Sequence, residues 1–244
     1  MWGFRFPIEK RRSRCTVRRV SSREQHLPDF HLAERCLEHD ATALALLQAT
    51  CGGPVRAYLV NAGASSDEAR ETVQCLWGDL LTPTANGQVR LLNYDGSCKL
   101  LTWLNSVALN ALLTRKRVDG RRQRRFPSSE EGGLIDTPDD DPPVETPLLE
   151  LLRDAVQFAF GNCPAEDFVL LQLEHCDQLE RDELARMFGC SKATVSRLLS
   201  SARISVAGAT MDFVRRRDPW LELQWEDFLE LCRTATPACF GVED

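Results

Sequence analysis

Several patterns that mark common functional classes are missing from this chain of 244 residues. No run of about 18 apolar residues occurs, so no membrane-spanning helix is expected. The start, MWGFRFPIEKRRSRC, places apolar before basic residues and has no hydrophobic stretch of the kind that secretory leaders carry. A P-loop, a G-x-S-x-G, an H-E-x-x-H and a dinucleotide fingerprint are also absent from the sequence. An enzyme is therefore the weakest hypothesis, and the expected location is the cytoplasm.

Paired metal ligands are missing as well, although the chain has ten cysteines and four histidines. The cysteines form no C-x-x-C pair and the histidines form no H-x-x-x-H pair, whereas structural zinc sites usually show such pairs. Several cysteines lie within apolar helical patterns, where a thiol behaves as a small hydrophobic side chain. We therefore expect reduced thiols, no structural metal and no cofactor.

The net charge of -6 hides a strong segregation of charge along the chain. Residues 1–25 and 115–125 are dominated by Lys and Arg, while residues 128–150 and the last part of the chain are dominated by Asp and Glu. Such blocks predict contact with phosphate in some segments and with solvent or a basic partner in others. A nucleic-acid-binding protein is therefore compatible with an acidic overall composition.

Apolar residues repeat at helical spacing in several stretches, and no stretch of useful length alternates in the manner of a strand. In the first half, the predicted elements are a helix over 30–50, a break at 51–54, a short helix to Gly63, a helix capped by Ser66 or Asp67 that ends at Leu81, a loop over 82–97 and a helix over 98–117. In the second half, helices are predicted over 148–160, 164–176, 181–189 and 191–209.

The predicted fold class is all-α, with two small helical domains joined by a flexible charged linker. The linker is placed where Pro, Gly and charged residues replace apolar ones. In chain order, the predicted organisation is a basic arm over 1–28, a first domain over 29–118, the linker over 119–147, a second domain over 148–210, and an amphipathic helix with an acidic tail over 211–244. The tail helix is expected to pack on the second domain or to bind a regulator.

The segment RDELARMFGCSKATVSRLLSSAR, residues 181–203, is typical of a helix-turn-helix. Gly189 permits the positive φ of a sharp turn, and Val195 with Leu198 or Leu199 is predicted to pack inward. Short polar and basic side chains remain at the start of the second helix, which is the end that enters the major groove in this motif. The alternative is an ordinary helical hairpin with a solvated face. The candidate DNA contacts are Ser191, Lys192, Ala193, Thr194, Ser196, Arg197, Ser200 and Arg203.

Two blocks of the chain resemble the sigma-70 family, particularly the small extracytoplasmic-function sigma factors. ELARMFGCSKATVSRLLSSAR is similar to the family's second DNA-binding region, and NCPAEDFVLLQLEH, residues 162–175, resembles the helix before it. EARETVQCLWGDLL, residues 68–81, and YDGSCKLLTWLNSVALNALLTRKR, residues 94–117, resemble two helices of the family's other domain. The chain departs from the family pattern at Cys75, Leu109 and Thr114, and basic residues that are common on the 94–117 helix are missing at Ser106 and Leu109.

The resemblance implies a non-enzymatic initiation factor that gives core RNA polymerase its promoter specificity. The candidate DNA contacts of the second domain would read the minus-35 element. The polymerase-binding candidates are Glu68, Glu71, Gln74 and Trp77, with a core position as the alternative for Trp77. The minus-10 candidates are Asn93, Tyr94, Asn105, Asn110, Arg115, Lys116 and Arg117, whereas Trp103 is expected in the core.

The implied partners are core RNA polymerase and promoter DNA, with an anti-sigma protein as a further candidate. The alternative function is a helix-turn-helix transcriptional regulator with an N-terminal helical sensing domain. In that reading the block at 94–117 has no role.

Overall fold

The computed structural model describes residues 25–83, 87–125 and 147–239, with backbone alone for 120–125 and 234–239. Within these ranges the chain is all-α, which confirms the all-α part of the predicted fold class. The described part contains a single 3-10 turn, Arg90–Asn93, and an isolated bridge between Pro83 and Val89. The helices are α1 (Leu27–Leu37), α2 (Ala41–Asn61), α3 (Ser66–Leu81), α4 (Leu100–Arg125), α5 (Pro147–Gly161), α6 (Ala165–His175), α7 (Arg181–Met187), α8 (Lys192–Arg217) and α9 (Trp225–Cys239).

The chain divides into two compact units, one formed by Met1–Val60 with Ala64–Leu112 and the other by Asn61–Gly63 with Leu113–Asp244. The division falls inside α4 rather than in the predicted linker, because α4 continues as a helix to Arg125. The rest of that linker, residues 126–146, and almost all of the predicted basic arm lie outside the described residues.

The predicted break at 51–54 is wrong, since α2 runs through Gly52, Gly53 and Pro54 without interruption. A Cβ atom at Gly52 would stand 3.7 Å from the Trp77 indole, an ordinary van der Waals distance, so α3 packs against α2 here. Pro54 cannot donate a helical hydrogen bond, and burial of Cys51 and Val55 on either side of it offsets that cost. Glycine and proline predict a break by their local preferences, whereas the packing of the surrounding residues keeps the helix continuous.

The real interruption lies between α1 and α2, where no break was predicted. His39 adopts a positive φ of 61°, which ends α1. Asp40 then caps α2, because its Oδ1 accepts hydrogen bonds from the Thr42 and Ala43 amides at 2.9 and 3.2 Å. The Asp40 carboxylate also receives two hydrogen bonds from the Arg35 guanidinium. This network turns the chain between α1 and α2. The apolar spacing alone predicts a single helix here.

The helix α3 ends at Leu81 as predicted, but its cap is Ser65 rather than Ser66 or Asp67. The Ser65 hydroxyl accepts from the Glu68 amide at 3.2 Å, and the Glu68 carboxylate accepts from the Ser65 amide at 2.8 Å. This reciprocal capping box satisfies two amides that have no partner inside the helix. It fixes the start of the helix that carries the predicted polymerase-binding side chains.

The core of the first unit forms on the apolar face of α4. Leu104 and Ala108 are fully buried there, and the Trp103 side chain is also buried, as expected. The Tyr94 ring lies 5.6 Å from the Trp103 ring, measured between centroids. The start of α4 is tied to α1, because the Leu100 amide donates to the Asp29 carboxylate at 2.9 Å.

The second unit is organised by α8, which is longer than predicted. The expected domain boundary at 210 cuts this helix, which continues to Arg217. Its last turns bury Met211 and Val214, and α5 packs along it, with the Phe158 and Phe213 ring centroids 5.0 Å apart. A single helix therefore serves both the helix-turn-helix and the packing against α5.

The tail packs within its own unit, which is the first of the two predicted outcomes. Phe228 and Leu231 are buried, α9 contacts α5, and the Trp225 and Phe228 rings stack at 5.4 Å. Burial raises the pKa of the Cys232 thiol to about 11. Leu229, next to Phe228 on the same helix, is 37% exposed.

Candidate nucleic-acid interface

The turn between α7 and α8 has the geometry that the sequence predicts for a helix-turn-helix. Gly189 adopts a φ of 61°, a conformation that favours glycine. The Ser191 hydroxyl then caps α8 by accepting from the Thr194 amide at 3.1 Å. Ser191 and Thr194 also share a hydrogen bond between their hydroxyls at 2.9 Å. These two candidate DNA contacts are therefore also the residues that start the second helix.

The inward face of α8 settles a choice that the sequence left open. Val195 and Leu199 are fully buried with Leu184 of α7, whereas Leu198 is 44% exposed. These residues form one core with α6. Leu199 is therefore the inward-facing residue, and the opposite face of α8 is left to solvent.

All eight candidate DNA contacts of the second unit reach the surface. Thr194 and Ser196 are half-buried, and the others are exposed: Ser191, Lys192, Ala193, Arg197, Ser200 and Arg203. The first turn of α8 carries no acidic residue. A helix start with small polar side chains and cations at the surface is suited to bind phosphate and base edges.

The three cations of this face are not equivalent. The Lys192 ammonium lies 2.8 Å from the Asp182 carboxylate, and both side chains are about 60% exposed. The Arg203 guanidinium is hydrogen-bonded to the Glu174 carboxylate. Arg197 donates to the carbonyl of Ala193 in its own helix at 3.4 Å, and no carboxylate in the described ranges lies within 4.0 Å of it. Arg197 is thus the most available of the three.

The sequence analysis did not identify either acidic partner, Asp182 or Glu174. Asp182 precedes Lys192 by ten residues and Glu174 precedes Arg203 by 29. No helical spacing connects either pair, because each partner lies on a different helix. The acidic residues of the 181–183 segment next to a basic recognition helix were the available signal for Asp182.

Tyr94 was predicted to contact the minus-10 element, and its position in the structure does not fit that assignment. The ring is only 4% exposed, between Phe30 and Trp103, so it offers no surface on which a base can stack. Its hydroxyl donates to the Cys98 carbonyl at 2.7 Å, and burial raises its pKa above the ordinary value. Tyr94 is therefore a core residue of the first unit.

The three asparagines of the minus-10 set do not all lie on α4, and the two that do lie on different faces of it. Asn93 is exposed at the end of the 3-10 turn, while Asn105 and Asn110 are half-buried on α4. Five residues rotate a helix by about 140° beyond a full turn, so Asn105 and Asn110 point in different directions. Asn105 and Asn110 therefore do not lie on one face of α4.

The basic end of α4 makes contacts within the second unit. The Lys116 ammonium donates to the Gly63 carbonyl at 3.2 Å. The Arg117 guanidinium donates to the Thr114 hydroxyl at 3.1 Å and lies 3.8 Å from the buried Asp227 carboxylate. Arg115 is half-buried. Phosphate binding by Arg117 would therefore compete with an existing ion pair.

Of the three positions on α4 that depart from the family pattern, two are buried and the third, Thr114, is exposed. Leu109 is fully buried and Ser106 is 2% exposed. A basic side chain would be costly at either position, because a buried charge without a partner loses its hydration. The missing basic residues thus reflect the packing of α4 in this chain.

The polymerase-binding candidates on α3 divide into two groups. Glu71 and Gln74 are exposed and, three residues apart, share one helix face. Glu68 is engaged in the capping box, and Trp77 is half-buried next to Gly52. Glu71 and Gln74 are the two members of the set whose side chains are exposed.

In the described ranges, no group of three or more His, Cys, Asp or Glu side chains is arranged to hold a metal ion. Over the same ranges, no helix has the length and apolar character needed to cross a membrane. Comparison with known proteins adds no relative: no family model matches the chain, and no curated protein matches it.

Proposed function

We propose that this chain is an RNA polymerase sigma factor of the extracytoplasmic-function type, which directs core polymerase to promoters. The observation that carries the proposal is the helix-turn-helix of α7 and α8. Its turn is made by Gly189 at positive φ, its core by Val195 and Leu199, and its exposed face by small polar and basic side chains. The resemblance of the 68–81 and 94–117 segments to the sigma-70 family supports the choice of a sigma factor over other helix-turn-helix proteins.

In this proposal the start of α8 enters the major groove of the minus-35 element. Arg197 would bind a guanine edge or a phosphate, and Lys192 would bind phosphate after leaving Asp182. The Ala193 methyl group and the Thr194 side chain suit contact with a thymine methyl group. Ser196 and Ser200 would bind bases or backbone as donors or acceptors.

The first unit would contribute to recognition of the minus-10 element through Asn93 and one of the asparagines of α4. Bases that leave the duplex need hydrogen-bonding groups and stacking surfaces. Tyr94 is not part of this surface, because its ring is buried. Arg115, Lys116 and Arg117, which belong to the second unit, would bind phosphates at the cost of the contacts that they make in the free chain.

The proposed polymerase-binding surface consists of Glu71 and Gln74 on the exposed face of α3. A charge reversal, Glu71→Lys, should weaken binding to core polymerase without unfolding the chain, because the side chain is exposed. Glu38→Lys, at an exposed position just after α1, is the matched control.

The decisive experiment is run-off transcription by bacterial core polymerase on a promoter library, with and without the chain. Transcripts that start at defined sites only when the chain is present would support the proposal. Failure of the chain to bind core polymerase in a pull-down would overturn it.

A further inference from the structure

The Glu174 carboxylate is a junction between three helices of the second unit. It lies near the end of α6, and its side chain is only 14% exposed. It is hydrogen-bonded to the Arg203 guanidinium of α8 and lies 3.9 Å from the Arg181 guanidinium at the start of α7. The His175 ring lies 3.6 Å from the same carboxylate. One acidic group therefore joins the helix before the motif to both helices of the motif.

This junction contrasts with the neighbouring pair of Asp182 and Lys192. That pair is 59% and 60% exposed, and such surface pairs break readily because water solvates both partners. Glu174 has lost most of its hydration and depends on its cations for compensation. Removing its charge leaves Arg203 and Arg181 without this partner and releases a polar contact between α8 and α6, which also meet in the apolar core.

We propose that Glu174 is a positioning residue for the recognition helix α8, and that Arg203 acts through Glu174 rather than as a DNA contact. The inference rests on the proposed DNA-binding function and revises it at Arg203, which the sequence assigned to the minus-35 surface. Glu174 sets the position of α8 relative to α6 and α7, and through it the direction in which Arg197 and Ser200 point.

A matched pair of substitutions tests the inference, since Glu174→Gln and Asp182→Asn each remove one negative charge from the second unit. If charge alone mattered, both would raise DNA affinity, because repulsion of phosphate falls in both variants. We expect opposite signs. Asp182→Asn should raise affinity about two- to fivefold at low salt by releasing Lys192. Glu174→Gln should lower affinity for a selected sequence on the order of tenfold.

The measurement uses the full chain and two short DNA duplexes. One is enriched from a random pool by this chain at low salt, and the other is its shuffled counterpart. Affinities are compared at a temperature at which circular dichroism shows every variant to be folded. Glu174→Gln should reduce the ratio of selected to shuffled affinity, a readout that loss of stability alone does not change. The salt slope should stay as in the wild type, because no phosphate contact is removed.

A double-mutant cycle completes the test. Arg203→Gln should lower the same ratio, and Arg203→Gln combined with Glu174→Gln should be no worse than either single change. Additive effects, or a rise in affinity for Glu174→Gln that parallels Asp182→Asn, would overturn the positioning role and leave the DNA-binding function intact. If the wild-type chain distinguishes no sequence even when bound to core polymerase, the proposed function fails and this inference fails with it.

Discussion

At the scale of single residues, Gly189 carries the turn of the helix-turn-helix. Gly189→Ala should cost about 1–2 kcal/mol of unfolding free energy, because an L-residue with a side chain is strained at a φ of 61°. A Cβ atom there would meet no neighbour within 4 Å, so the loss of unfolding free energy would come from backbone strain and not from a steric clash. Urea unfolding measures it.

Gly208 supplies the control for that substitution within α8. A Cβ atom there also meets nothing within 4 Å, but Gly208 lies inside a helix. Gly208→Ala should therefore stabilise the chain by about 0.5–1 kcal/mol. Equal shifts in the same direction for both variants would contradict the proposed role of Gly189.

The cations of the recognition helix should differ in their contribution to DNA binding. Arg197→Ala should weaken binding more than Lys192→Ala, because Lys192 must first leave Asp182 at 2.8 Å. If Arg197 binds a guanine, its loss should cost about 1–3 kcal/mol and relax the base preference at one position. Fluorescence anisotropy at matched salt gives both values. If neither substitution changes binding, α8 is not the DNA-reading helix.

At the same scale, the sequence predicts properties that follow from the residue type itself, and it does not predict contacts with residues distant in the chain. The positive φ at Gly189 and the core position of Trp103 followed from local chemistry. Tyr94 was assigned to DNA because it is polar and aromatic. Its hydroxyl instead donates to the Cys98 carbonyl, and its ring packs against Trp103. The Glu174 and Arg203 pair depends on how two distant helices meet, and no spacing in the sequence encodes that.

At the scale of elements, the cap of α2 predicts a dependence of stability on pH. Hydrogen bonds from the Thr42 hydroxyl and then from Arg35 hold the pKa of Asp40 well below its ordinary value. A carboxyl whose pKa is depressed on folding stabilises the chain above its unfolded pKa, and this contribution is lost as pH falls. Asp40→Ala should therefore destabilise at pH 7, and the difference from wild type should shrink below about pH 4.

Ser65→Ala is the control for that titration, since it removes a capping group that does not ionise. It should cost about 1 kcal/mol, with little change over the same pH range. Urea midpoints at neutral and acid pH compare the two variants. A deficit of Asp40→Ala that persists in acid would show that its charge is not responsible.

The elements also show where sequence patterns succeed. Helices α3 and α5 to α7 lie close to their predicted bounds, because one apolar stripe and clear end signals agree there. The errors fall where packing overrides a local signal. Helix α2 continues through Pro54 with Cys51 and Val55 buried on either side, and α8 extends beyond the predicted boundary with Met211 and Val214 buried.

At the scale of the whole molecule, the candidate DNA contacts are divided between the two compact units. The minus-35 set lies in one unit and the asparagines of the minus-10 set in the other, so each unit alone carries only part of the proposed promoter contacts. Binding of free protein to promoter duplex should be weak and steeply salt-dependent. Docking on polymerase would make the second contact effectively intramolecular and raise affinity strongly.

Gel shifts with and without core polymerase at matched salt test this expectation. The sigma-factor proposal requires much tighter promoter binding in the polymerase complex. Tight, sequence-specific binding by the free chain, as a dimer on a palindromic site, would instead favour a helix-turn-helix regulator with a sensing domain.

The continuity of α8 has a consequence for how the second unit opens. This helix of 26 residues, about 39 Å long, is buried in the helix-turn-helix core at one end and against α5 at the other. Opening either end exposes backbone hydrogen bonds of the same rod, so the two ends form one cooperative unit in hydrogen exchange. Amide protons around Val195 and around Val214 should therefore exchange at similar rates. A fragment that stops at residue 210 should lose protection throughout the motif, including the turn that lies farthest from the cut.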